Sequence, residues 1–157
     1  MKEKTVELLN AFNDLGYSKE SIYLLDAYDD PIFDDTYLEV LLEAIRAGIP
    51  YEDVFMVTRE DKPYWSKAQI QLITQLYTRS NDAYFYNEII EGFNGAPMYD
   101  TEHMRYAITA HLNNLPDEEF YDPEADLEEL ESLLAEYELE EIYLDILSRG
   151  INRGSYV

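Results

Sequence analysis

The chain has 157 residues and carries 34 Asp plus Glu against 11 Lys plus Arg, a formal charge of −23, with 46% hydrophobic and 14% aromatic residues. That apolar fraction excludes a disordered acidic tail and suffices for one buried core, and no run reaches the ~18 to 20 apolar residues of a membrane-spanning helix. Without cysteine, disulfides, zinc–thiolate sites and thiol catalysis are excluded, and repulsion from phosphates argues against direct nucleic-acid binding.

Four prolines set the phase of an internal repeat. Pro31, Pro63, Pro97 and Pro123 are separated by 32, 34 and 26 residues. Two positions on stand Phe33, Trp65, Tyr99 and, breaking the pattern, Ala125; three positions on stand Asp34, Ser66, Asp100 and Asp126. Proline sets an extended approach, the aromatic packs back on the first turn, and Asp or Ser is a preferred N-cap. The positions seven, ten, eleven and fourteen after each proline are mostly apolar and share one face of a helix. This self-similarity predicts five units, 1–29, 30–60, 61–94, 95–120 and 121–157, each a longer helix, a turn and a shorter helix. The expected fold class is all-α, a single domain over 1–157, with the units stacked as a short solenoid or closed into a compact bundle.

In the first unit, Met1-Lys2-Glu3-Lys4 leads straight into an amphipathic segment, so no secretory leader is expected. Gly16 ends its long helix as Gly48 does in the second unit, and Ser18 caps a short helix holding Ile22, the counterpart of Val54. The second unit has Leu38, Leu41, Leu42 and Ile45 on its core face and Pro50 opening its short helix. In the third, Ser66-x-x-Gln69 is a capping-box pattern, Ile70, Ile73, Thr74 and Tyr77 form the inner face, and Ser80 stands at the helix end. Its Tyr84-Phe85-Tyr86 run is the strongest β-like segment, but the repeat frame places it in a short helix. The fourth unit has Met104, Ala107, Ile108 and His111 inside, Asn114 at the helix end and Pro116 before Phe120. His103 and His111 are two helical turns apart, too far to chelate one ion, and His111 falls on the inner register. The fifth unit pairs Asp126-x-x-Glu129 with a stripe of Leu127, Leu130, Leu133, Leu134 and Tyr137. Ile142, Leu144, Ile146 and Leu147 supply a second apolar set, with Arg149 and Gly150 at its end.

The string Tyr28-x-x-Pro31-x-Phe33, continued by Leu38-x-x-Leu41-Leu42-x-x-Ile45-x-x-Gly48-Ile49, resembles tandem helical repeats of uncharacterised phage and mobile-element proteins of Gram-positive bacteria. The match is fullest at 28–55 and partial at 61–94 and 95–121; the last unit departs, with Ala125 for the aromatic and no glycine at the helix end. The resemblance implies a phage or mobile-element setting in the cytoplasm of a bacterial host. Small acidic proteins of that setting look like inhibitors of host defence, anti-CRISPR proteins among them.

Charge is uneven along the chain. Residues 1–62 carry 15 acids and 6 bases, 63–116 carry 5 and 3, and 117–157 carry 14 and 2. The candidate partner-binding surface is therefore Asp117, Glu118, Glu119, Asp122, Glu124, Glu128, Glu129, Glu131, Glu136, Glu138, Glu140, Glu141 and Asp145, with Tyr121 and Tyr143 interleaved. Taken as one helix, 124–138 would span about 22 Å at ~1.5 Å per residue. Its acids would then fall roughly every 3 Å, near the ~3.4 Å per charge of a nucleic-acid strand. A solvated outer face gives the same pattern, although a charge magnitude of about 2 to 8 already keeps a small domain in solution. A second acidic patch comprises Asp26, Asp29, Asp30 and Asp35 around the cap Asp34. An EF-hand begun at Asp26 needs Gly and Glu where Pro31 and Tyr37 stand, which argues against calcium.

Tyr28, Tyr37, Tyr77, Tyr84, Tyr86, Tyr99, Tyr106 and Tyr137 fall on or near repeat positions and are expected to pack. Tyr51, Tyr64, Tyr121 and Tyr143 are expected outside. There is no glycine-rich phosphate loop, no Gly-x-Ser-x-Gly elbow and no kinase-like set, and nothing marks out one acid pair for catalysis, so no enzyme, cofactor or metal site is expected. Two functions remain. One is an inhibitor that binds a basic nucleic-acid-handling protein, a CRISPR effector or other defence enzyme, by nucleic-acid mimicry. The other is a helical-repeat adaptor that binds a protein through Tyr and apolar contacts.

Overall fold

The computed structural model describes residues 1–137. Glu138, Glu140, Glu141, Tyr143 and Asp145 of the expected acidic surface lie outside the described residues, as do Ile142, Leu144, Ile146, Leu147, Arg149 and Gly150. The described chain is mostly helical, as expected. Four long helices, α1 (Glu3–Asp14), α3 (Asp35–Arg46), α5 (Lys67–Arg79) and α7 (Thr101–Leu112), alternate with α2 (Lys19–Ile22), α4 (Tyr51–Val54), α6 (Ala83–Ile90) and a 3-10 turn (Glu118–Tyr121). Helix α8 (Leu127–Ala135) comes last. No helix among the described residues is long and apolar enough to cross a membrane.

The predicted caps begin these helices. The side chain of Asp34 accepts from the Tyr37 amide, Ser66 from Gln69, Asp100 from His103, and Asp126 from Glu128 and Glu129. At Ser66 the box closes, because Gln69 Oε1 accepts the Ser66 amide at 2.7 Å. Each bond satisfies an amide that the helix itself leaves unpaired. Ser18 precedes α2 but makes no cap bond; its hydroxyl lies 3.2 Å from that of Ser21.

Helices α1, α3 and α7 end alike. Gly16, Gly48 and Asn114 have φ of 98°, 101° and 57°. The next amides along the chain, of Tyr17, Ile49 and Leu115, reach back to the carbonyls of Phe12, Ala44 and Ala110 at 3.0, 3.1 and 2.9 Å. This is the Schellman closure, which needs a left-handed residue and so favours Gly or Asn. Ser80, expected to act likewise, is extended at φ −131°. Its hydroxyl instead accepts the amide of Asp82, the cap of α6, so one helix passes directly to the next.

Tight turns return the chain to each long helix. Leu25 pairs with Pro31 and Val57 with Pro63 as single antiparallel bridges, with Asp29 and Asp61 at φ 62° and 58°. The third turn is a hairpin of β1 (Gly92–Phe93) and β2 (Ala96–Pro97), in register Gly92 to Pro97. Asn94 and Gly95, both at positive φ, close it as a two-residue turn. The helical repeat frame does not anticipate this hairpin, although Asn-Gly is its usual signal.

The long helices pack in chain order, α1 on α3, α3 on α5, α5 on α7 and α7 on α8. Leu38, Leu41, Ile70, Ile73, Met104, Ala107 and Ile108 fill the space between them, and Phe33, Trp65 and Tyr99 are buried as expected. Polar groups of successive units also bond directly. Thr5 donates to Asp35 at 2.7 Å, Tyr51 to the Ser21 carbonyl at 2.5 Å, and the Ser66 and Thr101 hydroxyls lie 2.9 Å apart. A second, smaller core of Tyr106, Ala110, Leu115, Phe120, Leu130 and Leu134 holds the 3-10 turn and α8 on α7. Leu127 and Tyr77, expected inside, are exposed.

Candidate acidic interface

Residues 117–137 contain ten acids and no Lys or Arg. Their geometry is set by three apolar anchors. Phe120 is fully buried and turns the 3-10 segment inward; Leu130 and Leu134 do the same for α8. With that face committed, Glu128, Glu129, Glu131 and Glu136 are exposed. Glu119, Asp126, Glu128, Glu129 and Glu136 line one groove of about 670 Å³, together with Ser132 and Leu133, which no charge pattern singles out. Glu131 stands near Tyr106, whose hydroxyl is pushed up first by burial and then by the Glu131 and Glu102 charges.

Some of these carboxylates have structural tasks. Asp126 caps α8. Asp122 accepts the Glu124 amide at 2.9 Å and shapes the turn before it. Asp117 accepts the Tyr137 hydroxyl, a bond that pushes that phenol up to about 12. The remaining seven, Glu118, Glu119, Glu124, Glu128, Glu129, Glu131 and Glu136, are exposed, and among the described residues none of them is in an ion pair.

The sequence-based geometry needs correction here. Residues 124–138 do not begin as one helix, because Asp126 is a cap and Glu124 lies in the turn before it. The described helix is nine residues long, or about 13 Å. A groove lined from two elements replaces the evenly charged rod. Tyr121 is also not a surface residue. It is half-buried, its hydroxyl donates to the Leu115 carbonyl at 3.1 Å, and its own carbonyl accepts from Tyr99 at 2.7 Å.

The other tyrosines divide differently from expectation. Tyr51 stacks on Phe55 with centroids 4.6 Å apart, and Tyr64 packs edge-on against Trp65 at 4.8 Å, so both are half-buried. Tyr28 is 85% exposed and Tyr84 74%. Tyr28 tips the turn of the second acidic patch. There Asp26 accepts the amides of Tyr28 and Asp30 at 2.8 and 3.0 Å, and Asp35 accepts from Thr5. Asp29 and Asp30 are exposed at the same turn. Half of that patch therefore has a structural task, Asp26 in the loop and Asp35 between α1 and α3.

The two histidines of α7 meet different neighbours. His111 is half-buried and stacks on Phe85 at 3.9 Å, in keeping with its inner register. His103 is buried, with Nδ1 2.8 Å from Asp100 Oδ1 and Nε2 2.7 Å from the Ala125 carbonyl oxygen. Compared with known proteins, the chain matches no family model, no curated protein and no solved structure.

Proposed function

We propose that this chain is a non-enzymatic inhibitor that binds a basic, nucleic-acid-handling protein by offering the acidic groove of residues 117–137 in place of phosphates. The observation that carries the reading is the set of seven exposed Glu side chains on 117–137, unopposed by any described base. Like charges held this close repel one another and gain from a basic partner. The same field steers encounter, so association is fast and sensitive to salt. In this reading the units form a short stacked repeat, each resting on the next, with the acidic unit placed after α7. The resemblance of 28–55 to phage and mobile-element repeats supports an anti-defence setting in a host cytoplasm, with a CRISPR effector as the partner to try first.

The test uses purified CRISPR effectors immobilised with and without guide RNA. Binding should be lost by about 0.5 M NaCl, where the screening length falls to several ångströms, and should be competed by DNA or RNA. Replacing Glu119, Glu128, Glu129 and Glu136 by Lys should abolish it with unchanged helical circular dichroism. Binding that survives the quadruple reversal sinks the proposal. The exposed ring of Tyr28 favours a second reading, an adaptor that grips a protein through aromatic contacts. That reading expects salt-resistant binding and a loss on Tyr28→Ala.

A further inference from the structure

His103 stands where the acidic unit joins the rest of the molecule. It lies in the first turn of α7, buried, with one ring nitrogen on Asp100 and the other on the carbonyl of Ala125. Both neighbours are acceptors. A neutral imidazole carries one N–H and can satisfy only one of them, whereas an imidazolium donates to both. Ala125 immediately precedes Asp126, the cap of α8. The His103–Ala125 bond therefore ties the start of α7 to the start of α8 across 22 residues of chain.

We propose that His103 is a proton-dependent latch, whose imidazolium holds the acidic unit against α7 and whose neutral form lets it loosen. The charged groups facing the ring are Asp100 from the cap and Asp122 from the turn before α8. Glu102 and Arg105 on α7 pair with each other. At the start of α5 the Ser66 hydroxyl meets Thr101 and the Gln69 amide donates to the Tyr99 carbonyl, while the Lys67 ammonium is held on the other side, on the Thr36 hydroxyl and over the Tyr37 ring. Burial opposes charge on the ring, but the Ala125 and Asp100 bonds and the two carboxylates outweigh it and raise the His103 pKa. Because the folded value is the higher one, stability from the latch is fully present below the unfolded histidine value of about 6.5 and is lost as pH rises through the folded value. Ordinary carboxylates stay ionised throughout that window, so the charge of the acidic surface does not change with it. The latch is independent of whatever the acidic unit binds.

Two measurements on the full chain test it between pH 5.5 and 8.5: the ring shifts of His103 by NMR, and amide exchange of α8 corrected for intrinsic rate. His103 should titrate above about 6.5. The opening constant of α8 should rise up to roughly tenfold per pH unit between the unfolded and folded values, with α3 unaffected. His103→Gln, which keeps a donor but cannot titrate, should make α8 exchange independent of pH. Asp100→Asn keeps a cap while removing the charge, and should move both the titration and the exchange transition to lower pH. A His103 pKa at or below 6.5, or α8 exchange in the unaltered protein that ignores pH, overturns the latch even if the glutamine variant fails to fold.

Discussion

Asp34 shows how much one side chain can decide. Burial works against its charge, but bonds from the Thr36 hydroxyl and Tyr37 amide and the nearby Lys67 hold its pKa below the ordinary carboxylate value. Replacing it by Ala should cost about 1 kcal/mol in urea unfolding at pH 7, and by Asn much less. The depressed folded pKa sets the sign. The contribution of Asp34 is fully present above the unfolded value of about 3.9 and disappears as pH falls through the folded value, so the gap between Asp34→Ala and the unaltered protein should close in acid. A gap that persists at pH 2 would assign the effect to something other than the charge. Caps of this kind are legible in a sequence because cap and amide are three residues apart. The tyrosines are not. Tyr51, Tyr86 and Tyr121 each send the hydroxyl to a group far along the chain or across a turn, at the Ser21 carbonyl, Asp53 and the Leu115 carbonyl. A side chain with an apolar body and a polar tip goes wherever such an acceptor lies, and only the assembled neighbours supply it.

Among the elements, the β1–β2 hairpin carries the sharpest prediction. A Cβ on Gly92 would collide with the Tyr64 hydroxyl and lie 2.6 Å from the Ala96 carbonyl oxygen. One of those contacts is backbone and cannot swing away. Gly92→Ala should therefore destabilise the protein by about 1–3 kcal/mol, the usual cost of overpacking, read as a lower urea midpoint at unchanged slope. Combining it with Tyr64→Phe should recover only part of the loss, since the Ala96 contact remains; full recovery would place the whole clash at the hydroxyl. The hairpin is readable from Asn94-Gly95, but a helical frame that treats 61–94 and 95–120 as separate units hides it. At α8 the repeat frame places the cap at Asp126, where it is found; it is the even spacing of acids over 124–138 that misleads, because it runs straight through that cap.

For the whole molecule the dominant quantity is charge. Net repulsion at −23 opposes the compact state, and added salt screens it over about 10 Å at 0.1 M. Between 20 mM and 0.5 M NaCl the Tm at pH 7 should rise by roughly 2–4 °C, equivalent to about 1 kcal/mol for a chain of this size. A Tm that falls with salt would mean that attractive pairs outweigh the repulsion. The arrangement itself fits neighbour-by-neighbour packing, since α1, α3, α5, α7 and α8 each rest on the next. The smaller core under α8 makes the acidic unit the part of the described chain held by the fewest buried side chains.

The order of residues alone was enough for the helical class, the starts of α3, α5, α7 and α8, the Gly16 and Gly48 closures, and the concentration of acid beyond Asp117. All of these are local, because a helix and its caps are governed by residues three to five apart. The groove lined by Glu119, Glu129 and Glu136, the inward turn of Tyr121 and the bond from His103 to Ala125 needed the folded chain. Each joins groups on different elements, and the distance between such groups is set by how buried faces pack, which no spacing along the sequence encodes.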